Sequence, residues 1–213
     1  ITMIFNELLS LFKTRDDENF RKLIENVIIK SKMQLNKNDG SLLIQKFCND
    51  DEGWKTMCNI FSSRKMTFLS NTNSWIYLLN VFNESAKTPN SLSFLKQAFP
   101  YLYENLLFKN YVTLYSKIFN SLFIEYVEYE NYSCLDVFIY ILSFIGDSAK
   151  KQIYKSIIDF KLRDIIINEK IENRHLAIDF FRFLIEKIEW NMEFTNFKDI
   201  NMRKSIKTFS RLK

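Results

Sequence analysis

Glycine and proline are nearly missing: the 213 residues hold three Gly and two Pro. A β-rich fold needs those residues at its turns, so their scarcity excludes one and suits helices joined by short polar loops. Histidine occurs once, as His175. Metal sites and most acid/base or nucleophile pairs want a histidine with partners, and no second one exists to pair with it. At the first turn of its helix, beside Arg174, it is expected at the surface. The three cysteines, Cys48, Cys58 and Cys134, are odd in number and form no CxxC. Neither a disulfide framework nor a zinc site is expected, and a reducing intracellular compartment, cytoplasmic or nuclear, fits best. Gly40, Gly53 and Gly146 are too scattered to build a phosphate cradle, and no cofactor is expected. The longest apolar run, around Val137 to Ser143, is about half the ~20 residues of a membrane span and reads as a buried helix. No secretory signal is visible, and the opening Ile-Thr-Met is expected of an excised fragment of a larger intracellular protein or of a tag remnant before Met3.

What is abundant is apolar and aromatic: 47% of residues are hydrophobic and 16% aromatic, enough to bury a substantial core. Phe and Tyr at helical spacing are expected there, not on base-stacking platforms. Asn83-Glu84-Ser85 and Asn131-Tyr132-Ser133 match the glycosylation acceptor pattern at a frequency expected by chance in an Asn-rich chain. Net charge is +5, and its location matters more than its size. Lys198, Arg203, Lys204, Lys207, Arg211 and Lys213 face a single acid, Asp199, so the whole excess lies in residues 198–213. The body, 1–197, is neutral. The electrostatic footprint of a phosphate binder thus belongs to a C-terminal helix or tail.

A twelve-residue string occurs twice. Ile76-Tyr-Leu-Leu-Asn-Val-Phe-Asn-Glu-Ser-Ala-Lys87 returns as Ile139-Tyr-Ile-Leu-Ser-Phe-Ile-Gly-Asp-Ser-Ala-Lys150, with six identities. Each copy reads as an apolar helix followed by a polar break, and downstream segments match in order at a similar offset. Leu92, Leu95 and Phe99 answer to Ile153, Ile157 and Phe160. Tyr101–Phe108 answers to Leu162–Ile167, and the long helix 111–126 to 173–188. Pro100 is expected in the first turn of its own segment, where its missing N–H costs nothing. The prediction is a four-helix unit of roughly 62 residues, repeated over about 74–133 and 134–190. Leu8-Leu9-Ser-Leu-Phe12 hints at a degenerate third copy.

Upstream, Ile4, Phe5, Leu8, Leu9 and Phe12 predict a short first helix. Thr14 or Asp16 should start a second, with Phe20, Leu23, Ile24, Val27 and Ile28 inward and Arg21 outward. Gly40 is expected in a positive-φ turn before a helix burying Leu42, Leu43, Ile44 and Phe47. Asp50 or Asp51 should cap the helix of Trp54, Met57, Cys58 and Phe61. Residues 62–73 read as a loop or single turn, and Thr72 or Asn73 as the next cap. Cys134 is expected to be buried, and the acids at 125–130 to form a solvated helix end.

Residues Lys161 to Leu184 resemble the second and third helices of an armadillo or HEAT-type repeat. They show a short apolar helix, a polar turn with Asn, then a long helix whose buried stripe opens on Leu176-Ala177. The resemblance covers about residues 74–189 and lacks the inter-helix glycine customary in armadillo repeats. It implies an all-α fold, an irregular armadillo/HEAT-like helical repeat forming an α-α superhelix over residues 1–197; the alternative is a compact helical bundle. It also implies a non-enzymatic scaffold that binds a protein partner. The alternative function is a nucleic-acid-associated domain that contacts phosphates through 198–213.

Overall fold

The structure, a computed structural model, describes residues 2–11, 17–105, 111–157, 165 and 172–187. It is all-α, and the described residues hold no strand beyond one parallel bridge between Leu35 and Leu69. The helices are α1 (Thr2–Leu11), α2 (Glu18–Lys30), α3 (Lys37–Phe47), α4 (Asp51–Arg64), α5 (Thr72–Glu84), α6 (Pro89–Asn105), α7 (Val112–Tyr129), α8 (Tyr132–Leu142), α9 (Asp147–Ile157) and α10 (Arg174–Lys187). The chain divides into two units, Ile1–Ala177 and Ile178–Lys213. In the second, the described residues continue α10, where Arg182 pairs with Asp179 at 3.3 Å and Phe180 packs on Phe183.

Within the first unit each helix packs on the helix two places along. One row runs α1, α3, α5, α7, α9, and the other α2, α4, α6, α8. The most extensive contact is α4 on α6. Its substance is aromatic: Trp54 of α4 meets Phe82 of α5 edge-on at 5.9 Å and Phe94 of α6 at 5.4 Å. Phe61 joins Trp75 and Phe94 at 6.0 and 5.7 Å. A second cluster, Phe99, Tyr115, Phe119 and Phe138, ties α6 to α7 and α8. These rings are buried, each contributing about 1.5–3 kcal/mol by burial, with edge-to-face geometry adding to it. Much of the aromatic content is therefore core.

Helix starts follow short polar side chains. Asp17 accepts from Phe20 N–H, Asn36 from Asn38 and Asp39, Asp50 from Gly53, and Asn71 from Ser74. Two differ from expectation: Asn71, not Thr72 or Asn73, caps α5, and Asp17 caps α2, while Thr14 and Asp16 lie outside the described residues. The span 62–73 is more ordered than a loop. α4 runs to Arg64, a 3-10 turn follows at Lys65–Phe68, and Leu35 N–H donates to Phe68 O at 2.8 Å.

Gly40 is a correction. It sits inside α3, and no described glycine has positive φ. Its lack of a side chain serves close packing, since a Cβ there would lie 3.0 Å from Leu69 Cδ2. Gly53 is tighter still, its Cβ position falling 1.7 Å from the Phe47 carbonyl where α4 leaves α3. The left-handed positions fall instead to Lys32, Lys65 and Glu130, with φ of 50°, 48° and 53°. With its few glycines committed elsewhere, the chain accepts a strain of about 1 kcal/mol at each.

Pro100 is a second correction. The segments expected on either side of it form one helix, α6, with Pro100 inside. Phe94, Leu95, Ala98, Phe99 and Leu102 are buried along one continuous face, and that packing holds the helix through the proline. Lys96, whose carbonyl loses its partner, is exposed, so water can serve it. Among the described residues, the repeat unit expected over about 74–133 thus shows three helices, α5, α6 and α7, not four. The matching segment 162–167 lies outside the described residues except for Ile165.

Candidate functional site

The exposed face of the even row, α2, α4, α6 and α8, changes character along its length. At the α2–α4 end it is charged. Arg21, expected outward, is buried: its Nη1 and Nη2 donate to Asp50 Oδ1 and Oδ2 at 2.6 and 2.7 Å. Asp50 therefore holds two helices at once, and the bond from Arg21 holds its carboxyl below the usual range. Leu23, expected inward, is exposed, because the α2 face turned to α4 is that of Arg21, Ile24 and Ile28. Asp51 accepts from Asn90 N–H at 2.9 Å and from its Nδ2 at 2.7 Å. Burial pushes its carboxyl up, but the bonds from Thr88 and Asn90 outweigh that and hold it low. Lys22 pairs with Glu18 at 2.6 Å and Lys55 with Glu52 at 3.1 Å. These groups line a cleft of about 430 Å³ in which Arg21, Lys22 and Lys55 are each paired and Glu25 and Asp51 leave an acidic excess.

Between α4 and α6 the face is neutral and polar, with Ser62 donating to Gln97 at 2.9 Å. At α8 it becomes aromatic. α8 buries Cys134, Val137, Phe138, Ile141 and Leu142 and leaves Tyr132, Ile139 and Tyr140 exposed, followed by Phe144. Tyr140 meets Phe144 edge-on at 5.1 Å, and Lys96 Nζ of α6 lies 5.0 Å from the Tyr140 ring centre. Tyr126 packs on Tyr132 at 5.5 Å. The expectation of a buried helix here is half right: one face is core, the other an exposed apolar patch of the kind that marks interaction surfaces. Part of the signal lay in the sequence, since Tyr132, Ile139 and Tyr140 fall on the side of α8 away from its buried stripe, with Asp136 exposed among them.

The remaining candidates fall as follows. The basic residues Lys198, Arg203, Lys204, Lys207, Arg211 and Lys213 lie outside the described residues. His175 is exposed at the start of α10. Cys48, Cys58 and Cys134 are free and buried, and burial pushes their thiols up, to about 11 for Cys58 and about 12 for Cys134. That suits inert core residues better than nucleophiles. Both amide atoms of Asn83 are buried, out of reach of glycosylation in the folded chain. Among the described residues no group of three His, Cys, Asp or Glu could hold a metal ion, and no helix is long and apolar enough to cross a membrane. Comparison with protein-family models, with curated proteins and with solved structures finds no match.

Proposed function

We propose that this chain is a non-enzymatic interaction scaffold, an irregular armadillo/HEAT-like stack whose even-row face receives a protein partner in a reducing intracellular compartment. The observation that carries it is the α8 patch: Tyr132, Ile139, Tyr140 and Phe144 stand exposed beside Lys96. Stacking of each helix on the one two places along supports the repeat reading, because that is how helical repeats bury a continuous core. Exposed tyrosines are among the side chains that dominate protein interfaces. The partner's core should seat on Tyr140, with the charged α2–α4 cleft at the rim.

Ile139→Asp in the full chain tests this by affinity capture against wild type. Loss of a partner that Lys55→Glu retains at near-normal level is expected; identical captured sets for all three baits would sink the reading. A second reading rests on the charge asymmetry of the sequence, with Lys198, Arg203, Lys204, Lys207, Arg211 and Lys213 contacting nucleic-acid phosphates. RNA or DNA binding that weakens with salt and vanishes on deleting residues 198–213 would separate it from the first.

A further inference from the structure

The first helix of the odd row carries apolar residues on two opposite sides. Phe5 and Leu9 are 0% and 1% exposed, whereas Met3, Ile4 and Leu11 are 77%, 59% and 52% exposed. At about 100° per residue, Met3, Ile4 and Leu11 share one arc, opposite the arc of Phe5 and Leu9. Among the described helices of the row, α3, α5 and α7 have a row neighbour on each side, whereas α1 has α3 on one side and also touches α2. Its exposed apolar arc thus continues the interface that runs down the row. α9 differs: its exposed residues are polar, Lys151, Gln152 and Lys155 among them.

In the middle of the α1 arc stands Glu7, exposed and without an ion pair among the described residues; α1 itself contains no basic residue. Whatever covers Met3, Ile4 and Leu11 must answer that carboxylate. A second α1, parallel or antiparallel, would set Glu7 against Glu7. We infer that the outer face of α1 docks an amphipathic helix of a partner protein, one whose apolar stripe carries a lysine or arginine near its middle. This surface lies on the other row from the α8 patch and does not rest on it.

The probes are two synthetic 16-residue helical peptides with a leucine stripe, identical except for a central lysine or glutamate, titrated against the full chain by fluorescence anisotropy. The lysine peptide should bind about fivefold more tightly than the glutamate peptide, the ratio of a single exposed charge pair. Glu7→Lys should reverse that preference. Ile4→Glu should abolish binding of both; Ile4 is exposed, so the variant keeps its fold, which circular dichroism checks. Ile139→Asp should leave the titration unchanged, which keeps failure here separate from failure of the α8 reading. The inference is overturned if neither peptide binds, if both bind alike, or if binding survives Ile4→Glu. It is equally overturned if sedimentation shows a dimer that Ile4→Glu dissociates, which would give the face to a second copy.

Discussion

The two copies of the repeated string agree in which apolar residues they bury and disagree in where their helices end. Leu78 and Ile141, Leu79 and Leu142, and Phe82 and Ile145 are all buried, while Tyr77 and Tyr140 are 37% and 38% exposed. After Phe82 the first copy stays helical to Glu84, and Ser85-Ala86-Lys87 is loop. The second copy leaves the helix at Leu142, and Ser148-Ala149-Lys150 is the opening turn of α9. The difference lies in what completes each end. Lys87 turns back and donates from Nζ to the Phe82, Asn83 and Ser85 carbonyls at 2.8, 3.2 and 2.6 Å, closing α5. In the second copy Gly146 N–H donates to the Tyr103 hydroxyl of α6, and its carbonyl accepts from Ala149 and Lys150 to start α9. Identical residues thus serve as a stop in one place and a start in the other. The copies also fall in opposite rows, α5 in the odd and α8 in the even, so the sequence repeat and the stacking do not share a period.

The agreement can be tested where it is strongest. Leu78→Ala and Ile141→Ala should each cost about 2–5 kcal/mol in urea unfolding, since both leave a cavity in a closed core. A tolerated Ile141→Ala beside a costly Leu78→Ala would mean that the shared burial pattern hides unequal packing.

The disagreement predicts unequal lysines. Lys87→Ala strips a buried helix end of three bonds and should cost about 1–2 kcal/mol. Lys150, whose partner Asp147 is exposed at 3.6 Å, should tolerate alanine within about 0.5 kcal/mol. Burial lowers the pKa of Lys87 below its ordinary 10.5. Between that lowered value and 10.5 the unfolded chain binds more protons than the folded one, so stability attributable to Lys87 rises with pH across the window. The wild type should therefore gain on Lys87→Met in alkaline unfolding series; a difference independent of pH would contradict this.

The repeated tyrosines separate binding from stability. Tyr77→Ser and Tyr140→Ser each remove a ring that is more than three-fifths covered and should both cost about 1–2 kcal/mol, yet only Tyr140→Ser should weaken partner capture, because Lys96 and Phe144 surround Tyr140 alone. Equal loss from both would move the binding surface onto the odd row as well.

Much of this was legible in the chain. Periodicity gave α10 to within a residue at each end and α4 and α7 to within three, and the cap of α4 was narrowed to Asp50 or Asp51 because a short carboxylate before an apolar run has few other uses. The aromatic patch was only half legible. The repeat pointed to α8, but apolar residues on both faces of that helix leave open which side its neighbours will cover. Arg21 was misplaced for the converse reason: in one dimension a charge on an amphipathic helix looks solvated, and Asp50, the partner that draws it inward, is 29 residues away.

By itself, then, the sequence determined the all-α class and the inward face of most helices, because a 3.6-residue period is a local property of the chain. Tertiary structure alone decided where helices stop, that α6 runs through Pro100, and that α1 and α8 each keep an apolar side exposed. Those outcomes depend on which neighbour reaches a terminal carbonyl or covers a given face, and neighbours two helices apart in the chain are fixed only when the rows assemble.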